Sequence, residues 1–296
     1  MSTVTQHTVI SNAVRNLLFL KLSQSRFLAL LEMTRTMRVN SRPLRHAQDG
    51  CEVRLRGLGV SPYAIIPGMS IYAIADLHLS LCGAKPMDIF GEAWRDHAER
   101  IAANWDAIVS PCDTVIVVGD HSWALRFEQA KPDLDYIAAR PGAKILVRGN
   151  HDYWWRREAT TRIQKQLPAG MTLLHGHAIV IENVGITGTR GWRLELPEDP
   201  DAGDARVMAR ELAYLERGLG EIPPTVCRKI VALHYPPFNA DLEPNAFADV
   251  LQAHGVDILV YGHIHTGFYL EGDIEGVEYR LVSADHVDMR PVRVVP

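Results

Sequence analysis

Seven side chains with oxygen or nitrogen donors recur at one kind of place in this chain, directly after a short apolar run. Ile71–Ala75 leads into Asp76-Leu77-His78, and Thr114–Val118 into Gly119-Asp120. Ala143–Val147 leads into Arg148-Gly149-Asn150-His151-Asp152. Ile230–Leu233 leads into His234, and Ile258–Tyr261 into Gly262-His263-Ile264-His265. Two carboxylates, one amide and four imidazoles are enough donors for two first-row transition ions, with Mn, Fe or Zn all suited to such ligands. Asp76 and His78 are two residues apart, as are His263 and His265, so each pair can point the same way from an extended chain. Asp120 has two oxygens and can bridge. One ion would then take Asp76, His78, Asp120 and His265, and the other Asp120, Asn150, His234 and His263. Two ions about 3.5–4 Å apart stabilise both the attacking and the leaving oxygen of an in-line displacement, and they bring the pKa of shared water toward neutrality. Phosphorus is the matching electrophile, because its non-bridging oxygens can bind both ions. His151 stands beside Asn150 without being a ligand. It can face the leaving oxygen, as a proton donor or as a stabiliser of its charge. Asp152 is expected to orient His151 or hold it protonated.

The elements that position these groups follow from the same runs. Short, β-branched-rich apolar runs read as buried strands, and sites in open α/β sheets form beyond the carboxyl ends of such strands. Between the runs the pattern predicts helices near 88–109, 126–140, 156–167, 203–218 and 244–254. The first is drawn from an apolar stripe of Phe90, Trp94, His97, Ile101, Trp105 and Ile108. Gly218 and Gly220 are expected to stop the fourth, and Pro244 to sit in the first turn of the fifth. Met171–Thr187 and Phe268–Val295 read as strand-rich with tight turns, which predicts mixed sheets beside parallel βαβ units.

A chain of 296 residues that is 47% hydrophobic and 22% charged is ordinary globular material. Its charge is uneven. Residues 1–68 hold nine Lys/Arg against three Asp/Glu, a net +6, and residues 69–296 hold 22 against 32, a net −10. An acidic catalytic region is wrong for gripping duplex nucleic acid. No run has the apolar length of a membrane span. Cys51, Cys82, Cys112 and Cys227 lie far apart, as expected for reduced thiols in a cytoplasmic protein. Residues 1–68 read as a poorly ordered or partly helical extension, with a helix at about 14–37 and loop from Val39 to Pro67. A transit-type presequence and a native extension fit that composition. The preferred reading is a misplaced start, with Met69 opening directly on the first strand of a catalytic domain spanning 69–296.

The ordered set Asp76-Leu77-His78, Gly119-Asp120, Gly149-Asn150-His151-Asp152, His234 and Gly262-His263-Ile264-His265 resembles the calcineurin-like metallophosphoesterase superfamily over about 70–283. The stretches Gly119–Trp123, Gly149–Trp155 and Gly188–Trp192 look most like a bacterial branch of predicted phosphohydrolases. The resemblance implies an α/β fold, a four-layer α/β/β/α sandwich with a dinuclear metal site at the strand C-terminal ends. It also implies the ligand assignment given above, and phosphoester hydrolysis by metal-bridging hydroxide. One departure is visible. Many members carry a further Asp or an Asn-Arg pair after Gly-Asp, where this chain has His121-Ser122-Trp123.

Other residues have two readings each. Trp123, Trp154, Trp155, Trp192 and Tyr235 wall a pocket and stack on a flat group, or they pack the loops. Arg190 clamps a substrate phosphate or is structural. His121 supports the ligands or simply packs. His175 and His177, and Asp285, His286 and Asp288, read as turn residues, and His97 as packed. The expected partner is a small phosphorylated substrate, with no duplex nucleic acid and no membrane. A phosphodiesterase on nucleotides or cyclic nucleotides is the alternative enzyme. Outside enzymology, the alternative is a non-catalytic scaffold of the same fold.

Overall fold

The computed structural model describes residues 68–83, 85–192, 202–239 and 241–296. The expected extension at 1–68 therefore lies, save for Gly68, outside the described residues. Eleven strands form two sheets among the described residues. The first sheet uses β1 (Ile71–Ile74), β2 (Thr114–Val118), β3 (Ala143–Val147), β4 (Met171–Leu174) and β11 (Val292–Val295), in the order β11-β1-β2-β3-β4. The second uses β5 (Ala178–Ile181), β6 (Val184–Thr189), β7 (Arg228–Leu233), β8 (Ile258–Tyr261), β9 (Gly272–Ile274) and β10 (Val277–Leu281). Its order is β5-β6-β7-β8-β10-β9. β1 to β4 run parallel, as do β6, β7, β8 and β10, while β11, β5 and β9 pair antiparallel at or near the edges. Both sheets are mixed, as the sequence predicts.

Strand side chains alternate between faces, and that alternation separates three cores. Ile71, Ala73, Ile116, Ile145 and Val147 of the first sheet meet Ile186, Ile230, Ala232, Ile258 and Val260 of the second. On the outer face of the first sheet, Tyr72, Ile74, Val115, Val117 and Leu146 pack on α1 (His97–Ile108), α2 (Phe127–Ala138) and α3 (Thr160–Gln164). On the outer face of the second, Val231, Leu233, Leu259 and Tyr261 pack on α4 (Ala202–Glu221) and α5 (Ala246–Ala253). The layers are α/β/β/α. Trp105 of α1 is fully buried, and its indole N–H donates to Pro141 O at 3.0 Å. Truncating it to Ala would cost about 3–5 kcal/mol.

The sheets touch where the chemistry sits. The Ala75 N–H donates to Val282 O at 2.7 Å, and the Ala284 N–H returns to Ala75 O at 2.9 Å. The ends of β1 and β10 are thereby bonded across the two sheets.

Three helix expectations need correction. The segment 88–109 is not one helix. Short 3₁₀ turns at Asp88–Phe90 and Glu92–Trp94 precede α1, because Gly91 (φ 123°) and Asp96 (φ 49°) break the helical path. The break leaves Phe90 55% exposed and seats Trp94 in the core. α4 is not stopped by its glycines and runs through both to Glu221. A Cβ on Gly218 would overlap Thr187 Oγ1, so this glycine lets the helix lie close on β6. Pro244 precedes α5, whose cap is Asn245, with its side chain accepting from the Phe247 N–H at 3.0 Å. Cys82, Cys112 and Cys227 form no disulfide.

Candidate metal centre

All seven expected ligands come together at the carboxyl ends of β1, β2, β3, β7 and β8. Asp76 Oδ1 lies 3.9 Å from His78 Nε2, 3.8 Å from His265 Nε2 and 3.9 Å from His234 Nδ1. His78 Nε2 and His265 Nε2 stand 3.3 Å apart. Asp120 Oδ2 lies 3.8 Å from His78 Nε2 and 3.5 Å from His234 Nε2, and is thus central to both halves of the cluster. Asn150 Oδ1 is 2.7 Å from His234 Nε2. The His263 ring packs edge-on against that of His234, with centroids 5.2 Å apart. Two groups, Asp76-His78-His265 and Asp76-Asp120-His234, have donor atoms close enough to share an ion.

The backbone is bent to achieve this. Asp76 (φ 57°), His78 (φ 45°), Asp120 (φ 52°) and His263 (φ 71°) all adopt left-handed conformations. Such residues cost about 1–3 kcal/mol each and persist where the surroundings over-determine them. Two motif glycines permit close approach. A Cβ on Gly149 would overlap Asp120 Oδ1, and one on Gly262 would run into Asp76 Oδ2.

Fixed hydrogen bonds leave particular atoms free for ions. Asp76 Oδ2 accepts from the His263 N–H and the Ser283 hydroxyl, each at 2.8 Å. Asp76 Oδ1 is buried and has no hydrogen-bond partner. An unpaired buried carboxylate oxygen is costly, and a cation is the partner that this donor set fits. Asp120 Oδ1 accepts from the His151 N–H at 2.7 Å, which leaves Oδ2 toward the imidazoles. His234 Nδ1 lies 3.1 Å from Val118 O, so Nδ1 carries the proton and Nε2 offers its lone pair.

The electrostatics agree with a cation site. Burial raises the Asp76 carboxyl to about 6, against the charge of His265 and two hydrogen bonds. Burial, then the neighbouring charges of Asp76 and Asp152, raises Asp120 well above the carboxylate range. Burial, then the neighbouring His265, holds His78 low, and burial with His263 does the same to His234. His263 is pushed down to about 4, again mainly by burial. Neutral imidazoles are the form that binds metal. His265 is the exception. Burial lowers it, but its 2.9 Å hydrogen bond to Asp285 and the charge of Asp76 outweigh that and raise it.

His151 lines a cavity of about 460 Å³ together with His78, Asp120, His263 and His265. Met87, Phe90 and Trp94 supply its apolar wall. Burial, then the Lys85 ammonium, lowers the His151 imidazole. Asp152 raises the His151 imidazole by its charge, as expected in direction, but burial and Lys85 outweigh it and the carboxylate's hydrogen bonds go elsewhere. Asp152 is fully buried and accepts from the backbone N–H of Asp120, His121 and Gly149 and from the Trp154 indole, and its Oδ2 lies 2.8 Å from His121 Nδ1. Burial would raise its pKa, but these donors and His121 pull it far down. Asp152 ties the loop after β2 to the loop after β3, and His121 is its fully buried partner.

The expected substrate contacts divide. Trp123 lines the cavity, but its ring already stacks on His78 (4.8 Å, 20°) and carries the Lys85 ammonium 3.1 Å from its centroid. It has no clear face for a base. Tyr235 lies against the ring of cavity-lining His263 at 4.2 Å but does not itself line the cavity. Arg190 is 9% exposed and sits beyond β6, outside the cavity. Trp154 and Trp155 are core residues. Three contributors escape sequence reasoning. Trp94 meets the edges of His78 and His265 at 5.6 and 5.4 Å. Ser283 and Asp285 follow β10, whose end carries no recognisable motif. Only their place after an apolar strand could have flagged them.

A family model described as calcineurin-like phosphoesterase matches residues 69–267. Gene 66 protein of Mycobacterium phage L5 is 33% identical over 78 residues, which are 26% of this chain and 37% of that protein's length. GAP50 of Plasmodium, the anchor in the inner membrane complex, superposes with a TM-score of 0.50 at 10% identity, over 73% of this chain and 72% of that one. The phosphopantetheinyl hydrolase of Mycobacterium tuberculosis gives a TM-score of 0.49 at 17% identity, over 77% and 96%. Among the described residues no helix is long and apolar enough to cross a membrane.

Proposed function

The chain belongs to the calcineurin-like phosphoesterases, and from that premise we propose that it hydrolyses a small phosphorylated substrate with a pair of transition-metal ions, Mn, Fe or Zn. The observation that carries this reading is Asp76 Oδ1, buried without a hydrogen bond among His78, His234 and His265. The ions would be held by Asp76, His78, Asp120 and His265 on one side and by Asp120, Asn150, His234 and His263 on the other. When bound, such a pair supplies a nucleophile from water near neutral pH and offsets the charge of the phosphoryl oxygens.

The chain's own residues do the rest. Asp120 bridges the two halves. Asp285 steers the His265 ring by its hydrogen bond to Nδ1. His151 faces the leaving oxygen from the cavity wall. His151 Nδ1 lies 3.3 Å from the Tyr153 hydroxyl, and an Nε2–H would donate a hydrogen bond to the oxygen on which charge develops. Met87, Phe90 and Trp94 favour an apolar or aromatic organic part.

The test is elemental analysis of the purified protein, then nitrophenyl phosphate and bis(nitrophenyl) phosphate with each metal found. Metal-dependent release by the wild type, reduced to background in Asp120→Asn, is expected. Hydrolysis of neither ester with any metal, or an unaffected Asp120→Asn variant, would end this reading.

A further inference from the structure

The strand ends that hold the ions are continued by a second set with the opposite charge. β3, β4 and β6 end beside Arg148, His175 and Arg190. Leu174 of β4 and Ile186 of β6 share the inter-sheet core, and the Gly176 N–H donates to Gly188 O at 2.8 Å. These three ends therefore lie together, on the flank where β3 also supplies Asn150. Arg157 comes from the loop after β3, and Arg210 and Arg217 from α4.

Among the described residues, several polar atoms here are buried without a hydrogen-bond partner. The Nε atoms of Arg148, Arg190 and Arg210 and both ring nitrogens of His175 have no hydrogen-bond partner. Arg190 is more than nine-tenths buried, with its guanidinium 4.5 Å from the Trp192 ring centroid. Others are held in place. The Arg217 Nε donates to Gly176 O at 2.6 Å, and the Arg157 Nη1 donates to the Tyr214 hydroxyl at 3.3 Å. The Tyr214 ring meets His175 edge-on at 4.7 Å. Glu158 pairs with Arg157, and Glu211 lies 3.9 Å from Arg210 while also bonding Thr189. Burial, then the charges of Arg148, Arg190, Arg157 and Arg217, pushes the His175 imidazole down to about 3. The arginine charges act on His175 in the same direction as burial, which is the larger cause. This gathering of positive charge is a local feature, because residues 69–296 carry a net −10, with 22 Lys/Arg against 32 Asp/Glu.

We propose that this arginine-lined edge, with Arg148 and Arg190 at its centre, is a subsite for a second phosphate group, and that the enzyme therefore selects substrates carrying one phosphate for the ions and another beside it. Guanidinium forks suit phosphate oxygens, and buried ones lose little in being ordered. The proposal rests on the reading of the metal centre as the place of the reacting phosphate.

Calorimetry on the metal-loaded protein tests it, with inorganic tripolyphosphate and orthophosphate as probes. The wild type should bind tripolyphosphate at least about tenfold more tightly than orthophosphate, a gap of one charge-assisted contact or more. Arg148→Gln and Arg190→Gln should each erase that preference while orthophosphate affinity moves less than about threefold. Arg157→Gln, at the partly exposed rim, should narrow the preference without threatening the fold. Equal weakening for both anions, or no weakening in any variant, would overturn the proposal. Failure to hydrolyse any ester would end the reading of the metal centre yet leave the difference between the two anions measurable.

Discussion

Two stretches of strand ends, each drawn from both sheets, solve opposite electrostatic problems with the same backbone device. Around β1, β2, β7 and β8, carboxylates and imidazoles crowd together. Burial raises Asp76 to about 6 and Asp120 well above its usual range. Around β3, β4 and β6, guanidiniums crowd together, and burial with their charges drives His175 down to about 3. In the first stretch Asp76 Oδ1 is buried without a hydrogen-bond partner, and in the second Arg148 Nε and Arg190 Nε are. A phosphorylated ligand bridging ions and arginines would satisfy both. The contrast teaches that the strand ends provide position, whereas donor type decides what is held there.

The contrast can be broken at His151, which lines the cavity with four of the candidate metal ligands and none of the arginines. If the chemistry belongs to the metal side, His151→Ala should keep its metal content while kcat falls by about 10²–10⁴-fold. Stopped or steady-state assays beside elemental analysis would read both. An unchanged kcat would remove His151 from the reaction. A smaller effect should come from Asp285→Asn, which weakens the 2.9 Å hydrogen bond that aims His265. Metal affinity or activity should fall about 10–100-fold, and a metal titration would show it. An intact affinity would make Asp285 a bystander.

The smallest effect sharpens the arginine side. The folded His175 pKa of about 3 lies below the ordinary 6.5. The unfolded chain therefore takes up a proton as pH falls below 6.5 while the folded chain does not, and stability is lost through that window. Between pH 7 and pH 5 the wild type should lose about 1–2 kcal/mol relative to His175→Gln. Denaturant unfolding at the two pH values measures this. Parallel losses in both proteins would mean that the folded chain does not hold His175 neutral through this window.

The metal half was legible in the sequence because Asp76, His78, Asp120, Asn150, His234, His263 and His265 each close an apolar strand run, so local order carries the pattern. The arginine half was legible only at Arg190, read either as a phosphate clamp or as structural. Its members come from three strand ends, one loop and a helix, and arginine is ordinary at all of them. The role of Asp152 misled for a similar reason. Adjacency suggested His151 as its partner, yet the buried carboxylate collects the N–H groups of two loops instead. Periodicity also failed between 88 and 96. An apolar stripe predicted one helix, but seating Trp94 against His78 and His265 requires the breaks at Gly91 and Asp96.

The sequence by itself determined the strands, the mixed character of the sheets and the donor set, because side-chain alternation and the residues just past each run are local properties, whereas the four layers followed only from the family resemblance. Only the tertiary structure decided which atoms are left unpaired. Asp76 Oδ1, Arg148 Nε and Arg190 Nε are orphaned because burial and the two-sheet junction take away water and neighbours together, and no linear order records that loss.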